Sequence, residues 1–257
     1  MSPGAITSSI DIAQVAIYLF WFFFAGLIYY LHQEDKREGY PLEDRKASPN
    51  SLREGFPGMP KPKTYILAHG GTRTTPVEWK PGSRPPLNAT ETGPEDGDPI
   101  VPTGNPLLAG VGPGAWADRP DVADQTLEGT PKIVPLRVDH EFGVASRDPD
   151  PRGRDIVGAD GKVGGKVVDV WVDRSEFIFR YFEFEVAGGR RGLVPTTFCT
   201  VAGDGTVHVR AVLGHQFADV PALRNPDQVT LLEEDKICAY YGAGTLYATP
   251  ERQEAWV

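Results

Sequence analysis

Twenty consecutive residues, Ile12 to Leu31, carry no formal charge, and Gln14 is the only strongly polar side chain among them. At about 1.5 Å per residue, a helix of that length spans about 30 Å, the hydrocarbon thickness of a bilayer. A secretory leader would want a basic stretch first, a shorter apolar core and a small-residue cleavage site. No Lys or Arg precedes this run, and aromatics followed by charge stand where cleavage would occur. The run therefore reads as a permanent membrane span over residues 12–31, with residues 1–11 ahead of it. Ser8 and Asp11 make a capping-box-like start, with an acid where the helix dipole favours one. Tyr29 and Tyr30 sit where an interfacial aromatic belt is expected. Basic residues follow the span at Lys36, Arg37, Arg45 and Lys46, and none precedes it. The positive-inside rule then puts the amino terminus outside and the body in the cytoplasm.

Phe20-Trp21-Phe22-Phe23-Phe24 covers more than one helical turn, so aromatic rings face every direction. Two readings stand: an anchor in lipid, or one packed against other membrane helices. Seventeen of the 24 prolines lie between Pro41 and Pro135. Proline removes a backbone donor and restricts its predecessor, so regular helix is nearly excluded there. Residues 32–131 read as an extended, Pro/Gly-rich cytoplasmic segment. Scattered apolar anchors (Phe56, Met59, Ile66, Trp79, Leu107, Trp116) favour a chain laid over a partner surface rather than a free linker.

A net charge of −9 argues against nucleic acid as a partner. Cys199 and Cys238 are far apart and make neither a disulfide framework nor a zinc motif. Gly110 to Trp116, "GVGPGAW", is glycine-rich, but no strand precedes it and Pro113 interrupts it, so a dinucleotide-binding reading fails on context. His69 has no second ligand nearby in sequence. No nucleophile–base pair, metal cluster or phosphate loop marks the chain as an enzyme.

Residues 132–257 read as a small β domain with a short C-terminal helix. Short β runs such as "GKVVDVWVD" and "FIFRYFEFEV" are separated by turn residues at Asp160-Gly161, Gly188-Gly189 and Asp204-Gly205. In the first run, alternation puts Val168, Val170 and Val172 on one face and Asp169, Trp171 and Asp173 on the other. In the second, Arg180 shares a face with Ile178, Phe182, Phe184 and Val186. A guanidinium there needs a carboxylate, and Asp173 and Glu176 are the nearest upstream. The set reads either as an ion pair pinning a hairpin or as a coupled group that exchanges protons. Thr230-Leu231-Leu232-Glu233 is a capping box, predicting a helix that runs to about Tyr241 and stops at Gly242.

"FWFFFAGLIYYL", "EDKREGYPL", the "GVGP" turn, "GKVVDVWVD" and "VTLLEEDKICAYY", in this order, resemble the H subunit of the purple-bacterial photosynthetic reaction centre. The resemblance implies one transmembrane helix, a cytoplasmic PRC-type β-barrel and residence in the bacterial inner (intracytoplasmic) membrane. It implies a subunit that caps L and M, stabilises them, shields the quinone region and helps protons reach the secondary quinone. Bacteriochlorophyll, bacteriopheophytin, quinones, non-haem iron and carotenoid would sit on L and M, with none ligated by this chain. A cytochrome subunit, a light-harvesting antenna and membrane lipids are further candidate partners. The same resemblance implies that Asp173, Glu176 and Arg180 lie near the quinone pocket, with Glu176 as relay and the other two tuning it. Some relatives carry a surface histidine pair at the proton-uptake end. The matching stretch here, "TLEGTPKIVPL", has none, which puts a surface metal site in doubt and leaves Glu128 and His69 as candidates. The competing reading is a membrane-tethered PRC-barrel scaffold for some other cytoplasmic partner.

Overall fold

The structure is a computed structural model that describes residues 4, 6, 10–40, 55–68, 70–75, 87–94 and 98–253. The chain divides into two compact units, Met1–Pro85 with Glu95–Gly97, and Pro86–Pro94 with Asp98–Val257.

In the first unit, helix α1 spans Ile12–Glu38. It is capped three residues later than the sequence expectation: Asp11 itself is the N-cap, its Oδ1 accepting from the Gln14 amide at 2.7 Å. Ser8 lies outside the described residues. The helix also runs on for about two turns beyond Leu31, until Gly39 (φ +99°) closes it in the left-handed conformation that glycine reaches without strain. Phe20 to Phe24 are open all round on this chain, Phe22 at 85 % exposure.

The charged extension of α1 holds a small hairpin of β1 (Lys63–Ile66) and β2 (Thr72–Thr75). Glu34 accepts from Arg37 at 2.9 Å and from Lys63 of β1 at 2.8 Å. The buried Arg37 guanidinium also donates to the carbonyls of Lys61 and Thr75, one on each flank of the hairpin. Lys63 lies over the Tyr30 ring and Tyr29 meets Phe56. Polar groups on the charged end of α1 thus fasten the β1–β2 hairpin.

The second unit begins with a hairpin of β3 (Ala89–Glu91) and β4 (Ile100–Pro102). Its main sheet has seven strands: β5 (Ile133–Pro135), β6 (Asp155–Val157), β7 (Val163–Asp173), β8 (Ile178–Glu185), β9 (Arg191–Pro195), β10 (Cys199–Val201) and β11 (Val207–Val209). The order is β10-β11-β6-β7-β8-β9, with β5 paired to β7 beyond the end of β6. Eleven residues long, β7 is the spine, and the sheet curls around Val167, Val170, Phe184, Leu193, Val207 and Phe217. Leu107 and Val111, upstream of the sheet, are buried with the same unit. The turns fall where expected, with Gly161 at φ +73° and Gly205 at φ +87°.

Strict alternation fails twice in the β7–β8 pair, and both failures are bulges. Val167 faces Phe184 and Asp169 faces Glu183, leaving Val168 as an extra residue. Trp171 faces Tyr181 and Val172 faces Phe179, leaving Arg180 as another. Each bulge shifts the side-chain parity and bends its strand. Val168 is consequently half-exposed while Val167 is buried, and Val170, Trp171, Val172 and Asp173 are all buried. Ile178, assigned to the apolar face by alternation, is exposed.

Helix α2 covers Leu231–Tyr247, opened by the capping box of Thr230 and Glu233. It does not stop at Gly242. Glycine there serves close packing: a Cβ on Gly242 would lie 2.5 Å from the Pro113 carbonyl oxygen, and one on Gly244 2.5 Å from that of Ala211. The glycine-rich turn at Gly112–Gly114, a short 3-10 segment, is the surface that Gly242 admits. "GVGPGAW" is therefore a helix-packing turn.

Candidate functional site

β7 ends on Asp173 and the chain turns through Arg174–Phe177 into β8. Asp173 is fully buried. Its Oδ1 accepts from the amides of Ser175 and Glu176, both at 3.0 Å, so the side chain organises the bend. Phe177 completes it at φ +58°, a left-handed conformation costly for a residue with a Cβ, and its amide donates to the Asp173 carbonyl at 2.8 Å. The Phe177 ring is exposed.

Two cations then bind the two acids jointly. Arg180 reaches Asp173 through Nε at 3.3 Å and Glu176 through Nη2 at 2.9 Å. Lys132 Nζ stands 3.4 Å from Asp173 and 3.2 Å from Glu176, with Asp124 at 3.8 Å. The bulge explains the reach of Arg180, since an extra strand residue is free to re-aim its side chain. Burial alone would lower the proton affinity of Lys132, but its bond to Glu176 and the charge of Asp173 outweigh that and hold the ammonium above the usual lysine range. Arg180 likewise loses by burial and gains more from Glu176 and Asp173. The cluster grades from a fully buried acid, Asp173, to one about half-exposed, Glu176, with the cations between them. Glu176 is thus open to solvent, and Asp173 is sealed from it.

Of the residues picked from sequence, the structure brings Asp173, Glu176 and Arg180 together. Glu128 is not in their ion-pair set. It occupies the tight Thr126–Thr130 turn and lines a cleft of about 580 Å³ with Arg174, Ser175 and Phe177 of the same bend, and Asp139 and Glu141. A hydrogen bond from Thr126 and its own backbone amide hold its carboxyl below the usual range, with a smaller contribution from Arg174. His69 lies outside the described residues.

Lys132 was missed because it acts through pairing between distant segments. β5 docks on β7 with Ile133 opposite Asp173, and the Arg174 amide donates to the Lys132 carbonyl at 3.0 Å. A lone Lys ahead of "IVPL" gave no local signal. A second network was missed for the same reason. Glu183, buried on the other side of β8, accepts from Trp171 Nε1 at 3.0 Å, Arg191 at 3.3 Å and Arg137. Arg137 also bonds buried Asp169 at 3.1 Å and Asp227 at 3.1 Å. This ionic core pins the loop after β5 to the spine strand. Among the described residues, no three His, Cys, Asp or Glu side chains group to hold a metal.

One apolar helix of membrane length leads into a curled β unit that closes with a helix, which defines a single-pass membrane protein bearing a β-barrel-type domain. Comparison with protein families agrees on both parts. Residues 144–216 match the PRC-barrel domain, and residues 4–138, just over half of the chain, match the photosynthetic reaction centre H-chain N-terminal region. The chain belongs to the photosynthetic reaction centre H-chain family. That family is a subunit of a light-driven electron-transfer complex, associated with the L and M subunits, and the complex carries pigments and quinones.

Proposed function

We propose that this subunit stabilises the L and M core, shields the quinone region from water and assists proton transfer to the secondary quinone, with Glu176 as the relay. Asp173 and Arg180 tune the charge on Glu176, and Lys132 joins them. The amino terminus faces the periplasm and the β unit the cytoplasm, in keeping with the basic residues that follow the span. The aromatic stretch of α1 seats against membrane helices of the partner subunits, and Glu128 and His69 serve the proton-uptake end.

The observation that carries this reading is the shared binding of Glu176 and Asp173 by one pair of cations, Lys132 and Arg180. A hairpin pin needs one such bond. Two acids of unequal exposure that share two cations form an electrostatically coupled set, the kind of arrangement found at functional sites.

The test is subunit removal. Pigmented complexes purified through a tag on this chain are compared with complexes stripped of it. The proposal expects that stripping leaves the first photochemical charge separation in place and slows the proton-coupled second reduction of the secondary quinone. Equal second-reduction rates in the two preparations would refute it.

A further inference from the structure

A second cleft of the β unit shares no residue with the ion cluster at the end of β7. It has a volume of about 600 Å³ and lies where β10, the end of β11 and the last turn of α2 meet. Thr197, Phe198 and Thr200 line it in and just ahead of β10, Arg210 follows β11, and Arg252 comes from the short turn after α2. Its size falls among the pockets of about 300–1,000 Å³ that take organic ligands.

Arg252 is held in place without any acid. Its Nη1 donates to the carbonyls of Ala211 at 2.8 Å and Gly244 at 2.7 Å, and its Nη2 to that of Arg210 at 3.0 Å. These bonds take three of the five guanidinium N–H groups and leave one on Nε and one on Nη2. Carbonyl partners fix the plane of the group but do not cancel its formal charge. α2 has no basic residue of its own in the last turn, so Arg252 also serves the carbonyl end of that helix. Arg210 is exposed, and its side chain makes no hydrogen bond or ion pair among the described residues. The hydroxyls of Thr197 and Thr200 are likewise without partners there. Arg137 and Arg180, by contrast, are each bound to carboxylates. In a chain of net charge −9, a cleft lined by two arginines and no acid is a local excess of positive charge.

We propose that this cleft binds the phosphate of an organic phosphomonoester. Arg252, already fixed, presents its two remaining N–H groups to phosphate oxygens, the geometry a guanidinium recognises well. Arg210 supplies the second positive charge, and Thr197 and Thr200 donate their hydroxyls. A phosphomonoester carries about −1.5 to −2 charge at neutral pH, which two guanidinium groups match. Phe198, its ring seated 5.8 Å from that of Tyr241, offers an apolar surface to the organic part. The same chemistry is found in a soluble phosphomonoester and in a phosphatidate head group.

The experiment is isothermal titration of the assembled complex in non-ionic detergent. Glycerol 3-phosphate and short-chain phosphatidate are the probes, and glycerol is the control. The native complex is expected to bind at least one phosphate probe. Arg210→Ala and Arg252→Lys should each weaken that binding by about tenfold or more, the size of one hydrogen bond to a charged group. Arg252→Lys keeps the charge and loses the fork, while Arg210→Ala removes a side chain that has no protein partner and leaves the fold as it is. Similar affinity for the two probes supports a site for soluble phosphomonoesters. Binding of phosphatidate alone, weakened in Arg210→Ala, supports a lipid head-group site. No heat beyond the glycerol control with either probe overturns the proposal. Binding that both variants leave unaltered overturns it too, because the phosphate then sits elsewhere on the complex. Should Arg252→Lys not assemble, Arg210→Ala decides, and native affinity there counts against the site.

Discussion

Lys132 donates to Glu176 at 3.2 Å across 44 positions of sequence. The bond closes because β5 docks on the far half of β7, which brings the residue ahead of β5 to the bend where Glu176 sits. It makes this ion cluster a product of the fold rather than of a local motif.

Replacing Lys132 by Gln removes one of the two cations that bind Glu176. The pH profile of the second quinone reduction should then move up, because a neighbouring cation that favours the carboxylate has been lost. A downward movement would show that Lys132 does not act on Glu176 through charge. Paired-flash kinetics from pH 6 to 10 supply the measurement.

Arg137 neutralises Asp169 and Glu183, both nearly fully buried. Arg137→Met leaves two buried carboxylates short of their shared partner, and breaking such a pair costs about 3–5 kcal/mol. Urea denaturation of the full chain in detergent should show that loss. A change below about 1 kcal/mol would place the pair among weak surface bridges.

Gly242→Ala tests the packing of α2 on the glycine-rich turn. Alanine is the better helix former by about 1 kcal/mol, yet its Cβ would lie 2.5 Å from the Pro113 carbonyl. Overpacking against backbone should win, with a net loss of about 1–3 kcal/mol in the same denaturation assay. A stabilised variant would mean that the turn yields.

Glu234 of α2 predicts a pH dependence of stability. Its folded proton affinity is raised, chiefly by burial, so between the unfolded and folded midpoints the native state binds more protons than the unfolded chain. Stability therefore falls as pH rises through that window, and is highest below the ordinary carboxylate range. Glu234→Gln lacks this term. Its stability relative to the native chain should increase from pH 4 to pH 8, and a difference that stays constant would argue against a buried, raised carboxyl.

The membrane span was legible because its constraint is local: twenty uncharged residues have few other fates. Turn glycines and the Thr230 capping box were legible for the same reason. The cluster of Asp173, Glu176 and Arg180 was found by counting alternate positions, although Arg180 is a bulge residue and Ile178 of its supposed face is exposed. The charge argument held where the geometric one failed, since a half-buried guanidinium needs an acid whichever way its strand bends. Lys132, the Arg137 network and the Tyr181–Glu234 bond stayed hidden. Each joins segments between 44 and 53 positions apart, or in the case of Arg137 between 32 and 90. Strand order, not local pattern, brings them together. The end of α2 was misjudged because glycine stops a helix only when nothing requires its missing Cβ.

The most direct test of the account is Glu176→Gln in the assembled complex, followed by flash-induced proton uptake and by the rate of the second electron transfer to the secondary quinone. The account predicts normal assembly, an unchanged first electron transfer, and a second, proton-coupled step slowed by at least about tenfold. Native proton uptake and a native second-transfer rate would contradict it, leaving the cluster as an ion pair that does no more than hold the bend.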